Sequence, residues 1–223
     1  MLNVTDMEYK PDYKYIPPLE YHVLTPVYDW ACSLIGFGRR VRERILSNIE
    51  LQPHDVVLDI GCGTGVFFEI LKKKYTKQNI IGVDPDAQSL DIARRRLIQY
   101  GNARLIQAYG EALPLESKSV DYVISTLALH YMPNEIKKKC IEEMHRVLKP
   151  GGKVIITDFG PSKSLLLYRL LLFWEESEYL LGNLKGAVRE YVQGAGFRDF
   201  RVVQRQALLL HFFKIMETIM AVA

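Results

Sequence analysis

Two short apolar runs, each carrying an aspartate at or beside its end, with alternating glycines between them, constrain this chain more than any other feature. The first, Val56–Ile60, has the β-branched, near-continuous apolar character of a strand buried on both faces. It breaks into Gly61-Cys62-Gly63-Thr64-Gly65 and resumes with Phe68, Leu71 and Tyr75 at helical spacing, which predicts strand, tight turn and helix. The glycines admit positive φ and a close ligand approach, and the helix start offers its free N–H groups to whatever lies over them. The second run, Asn79–Asp84, precedes another helical pattern over residues 87–100 and completes a βαβ unit.

The same rhythm continues. Ala103–Gln107 and Val120–Thr126 read as strands three and four. Residues 134–148 read as a helix with Ile136, Cys140, Ile141 and Met144 inward, ended by Pro150-Gly151-Gly152 before a fifth strand over 153–159. Strands alternating with helices of this length predict an α/β, doubly wound parallel sheet. Beyond it, 164–181 predicts a long apolar helix and 185–195 a second. Residues 200–205 and 207–213 follow as two strands joined too tightly for a crossover, hence antiparallel. Upstream, residues 1–18 read as an extended arm with Pro11, Pro17 and Pro18. A helix opening at Pro26 carries Val27, Trp30, Ala31, Leu34 and Ile35 on one stripe, and residues 40–49 form another helix with arginines around Val41, Ile45, Leu46 and Ile49.

At 223 residues one domain is expected. A formal charge of +3 does not point to a polyanion, and no concentrated basic arm favours nucleic acid. The runs Lys72 to Lys74, Arg94 to Arg96 and Lys137 to Lys139 read as solvated helix faces. Cys32, Cys62 and Cys140 are too scattered for a metal site or a disulfide framework. The polar, tyrosine-rich start does not read as a secretory signal, and the apolar stretches fall short of a membrane span, so a cytoplasmic location is expected.

In a doubly wound sheet, ligands sit beyond the carboxyl ends of the strands where strand order reverses. Asp84, 25 residues after Asp59, stands where nucleotide folds place an acid that accepts ribose hydroxyls, although Asp84 or Asp86 could equally cap the following helix. The loop reads G-x-G-x-G rather than the dinucleotide G-x-G-x-x-G, and Asp59 would repel a diphosphate but accept from an ammonium group. The ligand should therefore carry an amine and a ribose, as S-adenosylmethionine does.

The sequence from Val57 to Gly65 resembles the first motif of class I S-adenosylmethionine-dependent methyltransferases, of the kind found in quinone biosynthesis and small-molecule enzymes. Gly82-Val83-Asp84, Glu111-Ala112-Leu113-Pro114-Leu115, Val120 to Ser125 and Leu148 to Lys153 resemble later motifs in the right order. The resemblance implies a Rossmann-like, mostly parallel seven-stranded sheet with a C-terminal antiparallel hairpin. It also implies cofactor contacts from Tyr28 on a lid helix, from Asp59, Gly61, Cys62, Gly63 and Gly65, from Asp84 and Pro85, from Gly110, Glu111 and Ala112, and from Ser125. The family often has an aspartate accepting from the adenine amino group where this chain has Tyr109, which shifts that task to Gly110 and Glu111. His130, after strand four, is the candidate catalytic base, with an orienting or purely structural histidine as the other reading.

The expected division is 1–50 as arm and lid helices and 51–223 as the methyltransferase domain, with 160–195 a helical insertion covering substrate. The expected acceptor is small or lipophilic. The apolar run 165–174 reads first as core packing or a subunit contact of a homodimer, and otherwise as facing a lipid-like acceptor, with Arg39, Arg40 and Arg42 then meeting acidic headgroups in a peripheral membrane contact. The alternatives are a catalytically silent S-adenosylmethionine-binding partner and, more weakly, a nicotinamide-dependent oxidoreductase.

Overall fold

The computed structural model describes residues 11, 13, 39–101, 103–162, 177–208 and 213–223. The predicted helix from Pro26, Tyr28 upon it, and the apolar run 165–174 lie outside the described residues. In chain order the elements are α1 (Arg39–Leu46), β1 (Val56–Ile60), α2 (Val66–Lys74), β2 (Asn79–Asp84), α3 (Ala87–Leu97), β3 (Ala103–Gln107) and β4 (Val120–Thr126). There follow α4 (Asn134–Val147), β5 (Leu148–Phe159), α5 (Ser177–Lys185), α6 (Ala187–Gly194), β6 (Arg198–Leu208) and β7 (Phe213–Val222).

The seven strands form one sheet in the order β3-β2-β1-β4-β5-β7-β6. β1 pairs in parallel with β2 on one side and β4 on the other, so strand order reverses at β1/β4. Successive side chains of these strands go to opposite faces. Val57, Tyr122, Ile124 and Ile155 pack with Phe68 and Leu71 of α2, whereas Leu58, Ile60, Val123, Val154 and Ile156 pack with Cys140, Ile141 and Met144 of α4. Both layers are apolar, which is why the inner strands read as unbroken hydrophobic runs.

The predicted antiparallel end is present, with one correction. The second strand lies at Phe213–Val222 rather than 207–213, and it inserts between β5 and β6, antiparallel to both. Its pattern is hard to read because the strand is central and buries residues 216–221, the polar Glu217 and Thr218 among them. Arg189 of α6 pairs with the Glu217 carboxylate, Nε to Oε1 at 2.7 Å, and the Thr218 hydroxyl bonds that of Thr157 at 2.9 Å. β5 likewise starts earlier than predicted, at Leu148, through a register shift against β4. The break between the two late helices falls at Gly186, whose φ of 101° admits the left-handed turn.

Two lysines assigned to solvated faces are buried. The Lys72 ammonium donates to the Gln78 carbonyl at 2.8 Å, and that of Lys137 donates to Asn134 Oδ1 at 3.2 Å and to the Tyr179 carbonyl. Burial lowers the pKa of both, and for Lys137, brought down to about 8, the Asp158 carboxylate partly offsets it.

β2 lies so close to the glycine loop that a Cβ at Gly82 would stand 2.7 Å from Leu105 Cδ2 and 2.9 Å from Cys62 Sγ. Gly82→Ala is therefore expected to cost about 1–3 kcal/mol through overpacking, read as a lower urea midpoint. An unchanged midpoint would show that this layer opens freely.

Candidate functional site

A cleft opens over the carboxyl ends of β1, β2 and β4, where strand order reverses, with about 1040 Å³ between its walls, its open mouth included. Its floor is the glycine loop. The N–H groups of Gly61 and Cys62 both donate to the Val83 carbonyl, at 2.8 and 3.1 Å, and that of Gly63 donates to Asp84 Oδ2 at 2.8 Å. The loop's donors are thus engaged by β2, which removes the anion cradle suggested by three glycines at a helix start. Gly61 is pressed on Ala128, whose Cβ would be 2.4 Å from an added methyl, while Gly63 faces open space that a side chain would fill. Gly65 packs instead against Ala93 and Leu97 of α3.

Two carboxylates flank this floor. Asp59 is 2% exposed and lines the cleft, with no hydrogen-bond partner for Oδ2. Burial and the charge of Asp84 push its pKa up to about 7, against a smaller lowering by the Arg42 guanidinium, which also lines the cleft. Asp84 is raised by burial to about 6 despite the backbone N–H groups of Asp86 and Gly63 donating to it at 2.9 and 2.8 Å. Asp86 caps α3 through Gln88 N at 3.0 Å, which settles the choice of cap and leaves Asp84 facing the cleft.

The opposite wall is the segment after β3. Gly110 lies where an added methyl would be 2.7 Å from Cys140 Sγ, so the backbone there rests on α4. Arg146, paired with Glu143, donates to the carbonyls of Leu113 and Leu115 at 3.1 and 2.9 Å and fixes the segment's exit. Glu111 Oε1 accepts from the Tyr13 hydroxyl at 2.9 Å, and the Tyr109 hydroxyl pKa is raised by burial and by the Glu111 charge.

Of the predicted residues, Asp59, Gly61, Cys62, Gly63, Asp84, Pro85, Gly110 and Glu111 come together on the cleft. Gly65, Ala112, Ser125 and His130 do not line it, and Tyr28 lies outside the described residues. Ser125 is buried with Oγ unpartnered among the described residues, and the next residues, Thr126 to Ala128, form the wall in its place. Leu127 adopts a left-handed φ of 55°, held by its N–H on the Thr157 carbonyl at 2.8 Å. Sequence reasoning missed Arg42 and Tyr13. Arg42 shares helical spacing with Ile45, Leu46 and Ile49, the buried stripe of its helix, and that spacing was the available signal.

Chemically, the cleft offers a buried acid with one oxygen unpartnered among the described residues, a guanidinium on the same cleft, a second acid with spare acceptor capacity, and an open floor of backbone. It fits a ligand with a cationic amine, a hydroxyl-bearing ring and no diphosphate.

A family model described as "Methyltransferase domain" matches residues 57–152. A malonyl-[acyl-carrier protein] O-methyltransferase of Marinomonas sp. is 35% identical over 56% of this chain and 46% of its own. The ubiquinone/menaquinone biosynthesis C-methyltransferase UbiE of Syntrophotalea carbinolica is 30% identical over 78% of this chain and 72% of its own. The chain spans about half the length of the first of these. Among solved structures, a Haemonchus contortus phosphoethanolamine N-methyltransferase 2 in complex with S-adenosyl-L-methionine superposes with a TM-score of 0.72 at 20% identity, covering 91% of this chain and 57% of its own, a likeness of fold. No helix among the described residues is long and apolar enough to cross a membrane.

The raised Asp59 pKa has a definite sign. The native state keeps a proton between the ordinary carboxyl value and about 7 that the unfolded chain releases, so this group's contribution to stability falls as pH rises through that window. Asp59→Asn should therefore lose less stability than the wild type between pH 5 and pH 8 in denaturant titrations. Parallel losses would refute the buried acid.

Proposed function

This chain belongs to the class I S-adenosylmethionine-dependent methyltransferases, and from that premise we propose that it moves the S-adenosylmethionine methyl group to a small or lipophilic acceptor by in-line displacement. The observation that carries the reading is Asp59 Oδ2, buried and without a partner among the described residues, on a cleft that Arg42 also lines and whose floor is a loop of engaged backbone amides. An acid and a guanidinium on the same cleft complement the ammonium and carboxylate of an amino acid, which is the polar end of this cofactor. Asp84 would accept from the ribose hydroxyls, since each of its oxygens takes one backbone N–H and keeps lone pairs. Gly110 and Glu111 would read the adenine edge in place of the family's aspartate, with Tyr13 steadying Glu111. Pro85 and Cys62 would supply apolar contact.

When bound, the sulfonium supplies an already activated methyl group. The protein's part is alignment and exclusion of water. Thr126, Leu127, Ala128, Tyr131 and Met132 form the wall on the β4 side and would face the acceptor, and their mostly apolar surface favours a lipophilic or compact substrate. His130 stands behind the cleft lining, against Tyr131, which is part of it, and would take the acceptor's proton where one must be lost. We assign residues 160–195, which include α5 and α6, to covering the acceptor, and residues 1–50, which include Tyr13 and Arg42, to closing the cofactor side. A cytoplasmic location, a peripheral membrane contact and a homodimer belong to the same proposal, the last two on the apolar run 165–174.

Calorimetric titration should show binding of S-adenosylmethionine and none of NADH; the reverse result would overturn the assignment. Asp84→Ala should weaken S-adenosylmethionine by about tenfold or more, the value of charge-assisted hydrogen bonds, and unchanged affinity would remove its ribose role. Because an ammonium favours the ionised form of Asp59, affinity should rise with pH from 5.5 to 7.5, with proton release on binding, and level off above. A flat profile would place the amine elsewhere.

A further inference from the structure

A second polar unit lies beside the cleft, centred on Asp158 of β5, which is 2% exposed. Its Oδ2 accepts from the backbone N–H groups of Leu129 and His130, at 2.9 and 3.3 Å, and so anchors the 3₁₀ turn Leu129–Tyr131. Its Oδ1 accepts from Phe159 N at 2.7 Å and Asn183 Nδ2 at 3.2 Å, and stands 2.9 Å from His130 Nδ1. Every other group around this carboxylate is a donor, so the fifth contact must also be one: a carboxylate oxygen has no hydrogen to give the ring. An ionised Asp158 would therefore accept this hydrogen bond from Nδ1.

The ring is held as well as polarised. Phe159 meets it edge-on, centroids 4.9 Å apart at 80°, and Tyr131 lies against it at 4.1 Å. The charged groups of this unit are the Asp158 carboxylate from β5 and, acting on it, the buried ammonium of Lys137 from α4. α5 contributes the neutral Asn183 amide.

We propose that Asp158 is a positioning residue that locks His130 in the Nδ1–H tautomer, leaving Nε2 as the ring's proton-accepting nitrogen. This rests on the assignment of His130 as the acceptor's base, and it specifies which nitrogen does the work and what prepares it. A buried acid that only tied down the turn would need its backbone contacts alone and would leave the tautomer to chance. The pairing with Nδ1 makes the base available without a prior ring flip or proton shuffle. Asn183 links this unit to α5, so the helix assigned to cover the acceptor is attached to the group that prepares its base.

The test reads the ring itself, in the chain without ligand. Long-range ¹H–¹⁵N spectra of histidine-labelled protein at pH 8.5, with His130→Gln identifying the signals among five histidines, should show a protonated Nδ1 and a bare Nε2. Asp158→Asn, whose amide can donate to Nδ1, should convert the signals wholly or largely to the Nε2–H form, while Asn183→Ala should leave them unchanged. A wild-type ring in the Nε2–H form, or an Asp158→Asn ring that keeps Nδ1–H, would overturn the proposal. If Asp158→Asn does not fold, the wild-type spectrum still decides. S-adenosylmethionine titration of the same wild-type sample separates this from the parent reading: loss of cofactor binding with the expected tautomer sinks the methyltransferase assignment alone, and binding with the wrong tautomer sinks only the role of Asp158.

Discussion

The convergence of the Gly61 and Cys62 amides on the Val83 carbonyl is the contact on which the site depends. It fastens the turn after β1 to the end of β2, and with Gly63 on Asp84 it makes the two strand ends one rigid corner. Two acids are thereby held in a poorly solvated place, where burial raises the cost of ionising both and the charge of Asp84 adds to it at Asp59. A bound cation would relieve that cost, which is why the corner reads as a binding surface rather than as packing.

Buried charge recurs away from the cleft. Lys72 reaches the Gln78 carbonyl just beyond its own helix, Lys137 joins α4 to α5, and Arg189 of α6 meets the buried Glu217 of β7. Pairs of this kind are weak sources of stability because desolvation offsets their attraction. What they fix is relative placement: Lys137 ties α5 to α4, and Arg189 ties α6 to the sheet at β7.

The parallel half of the sheet was legible because strands covered on both faces leave continuous apolar runs, and the turn chemistry between them is explicit in Gly61 to Gly65 and Pro150 to Gly152. The acids at Asp59 and Asp84 were legible for the same reason: they stand at the ends of those runs. β7 was not, because Glu217 and Thr218 interrupt its hydrophobic pattern and are satisfied by Arg189 and Thr157, partners no local window contains. Lys72 and Lys137 were misplaced on charge alone, since a lysine's burial is decided by an acceptor elsewhere in the fold. The pairing of His130 with Asp158 spans 28 residues and two elements, so the sequence offered the histidine without the group that orients it.

The insertion of β7 between β5 and β6 also bears on how the protein reaches its fold. The Thr157–Thr218 contact closes a loop of 61 residues, and the strand that must bridge β5 to β6 is the later of the hairpin pair. Until it docks, β5 carries an open, apolar edge able to recruit a foreign strand. Long-range pairing of this kind slows folding, so the parallel half can assemble while the antiparallel end is still unmade, and that interval is when the chain is most exposed to aggregation.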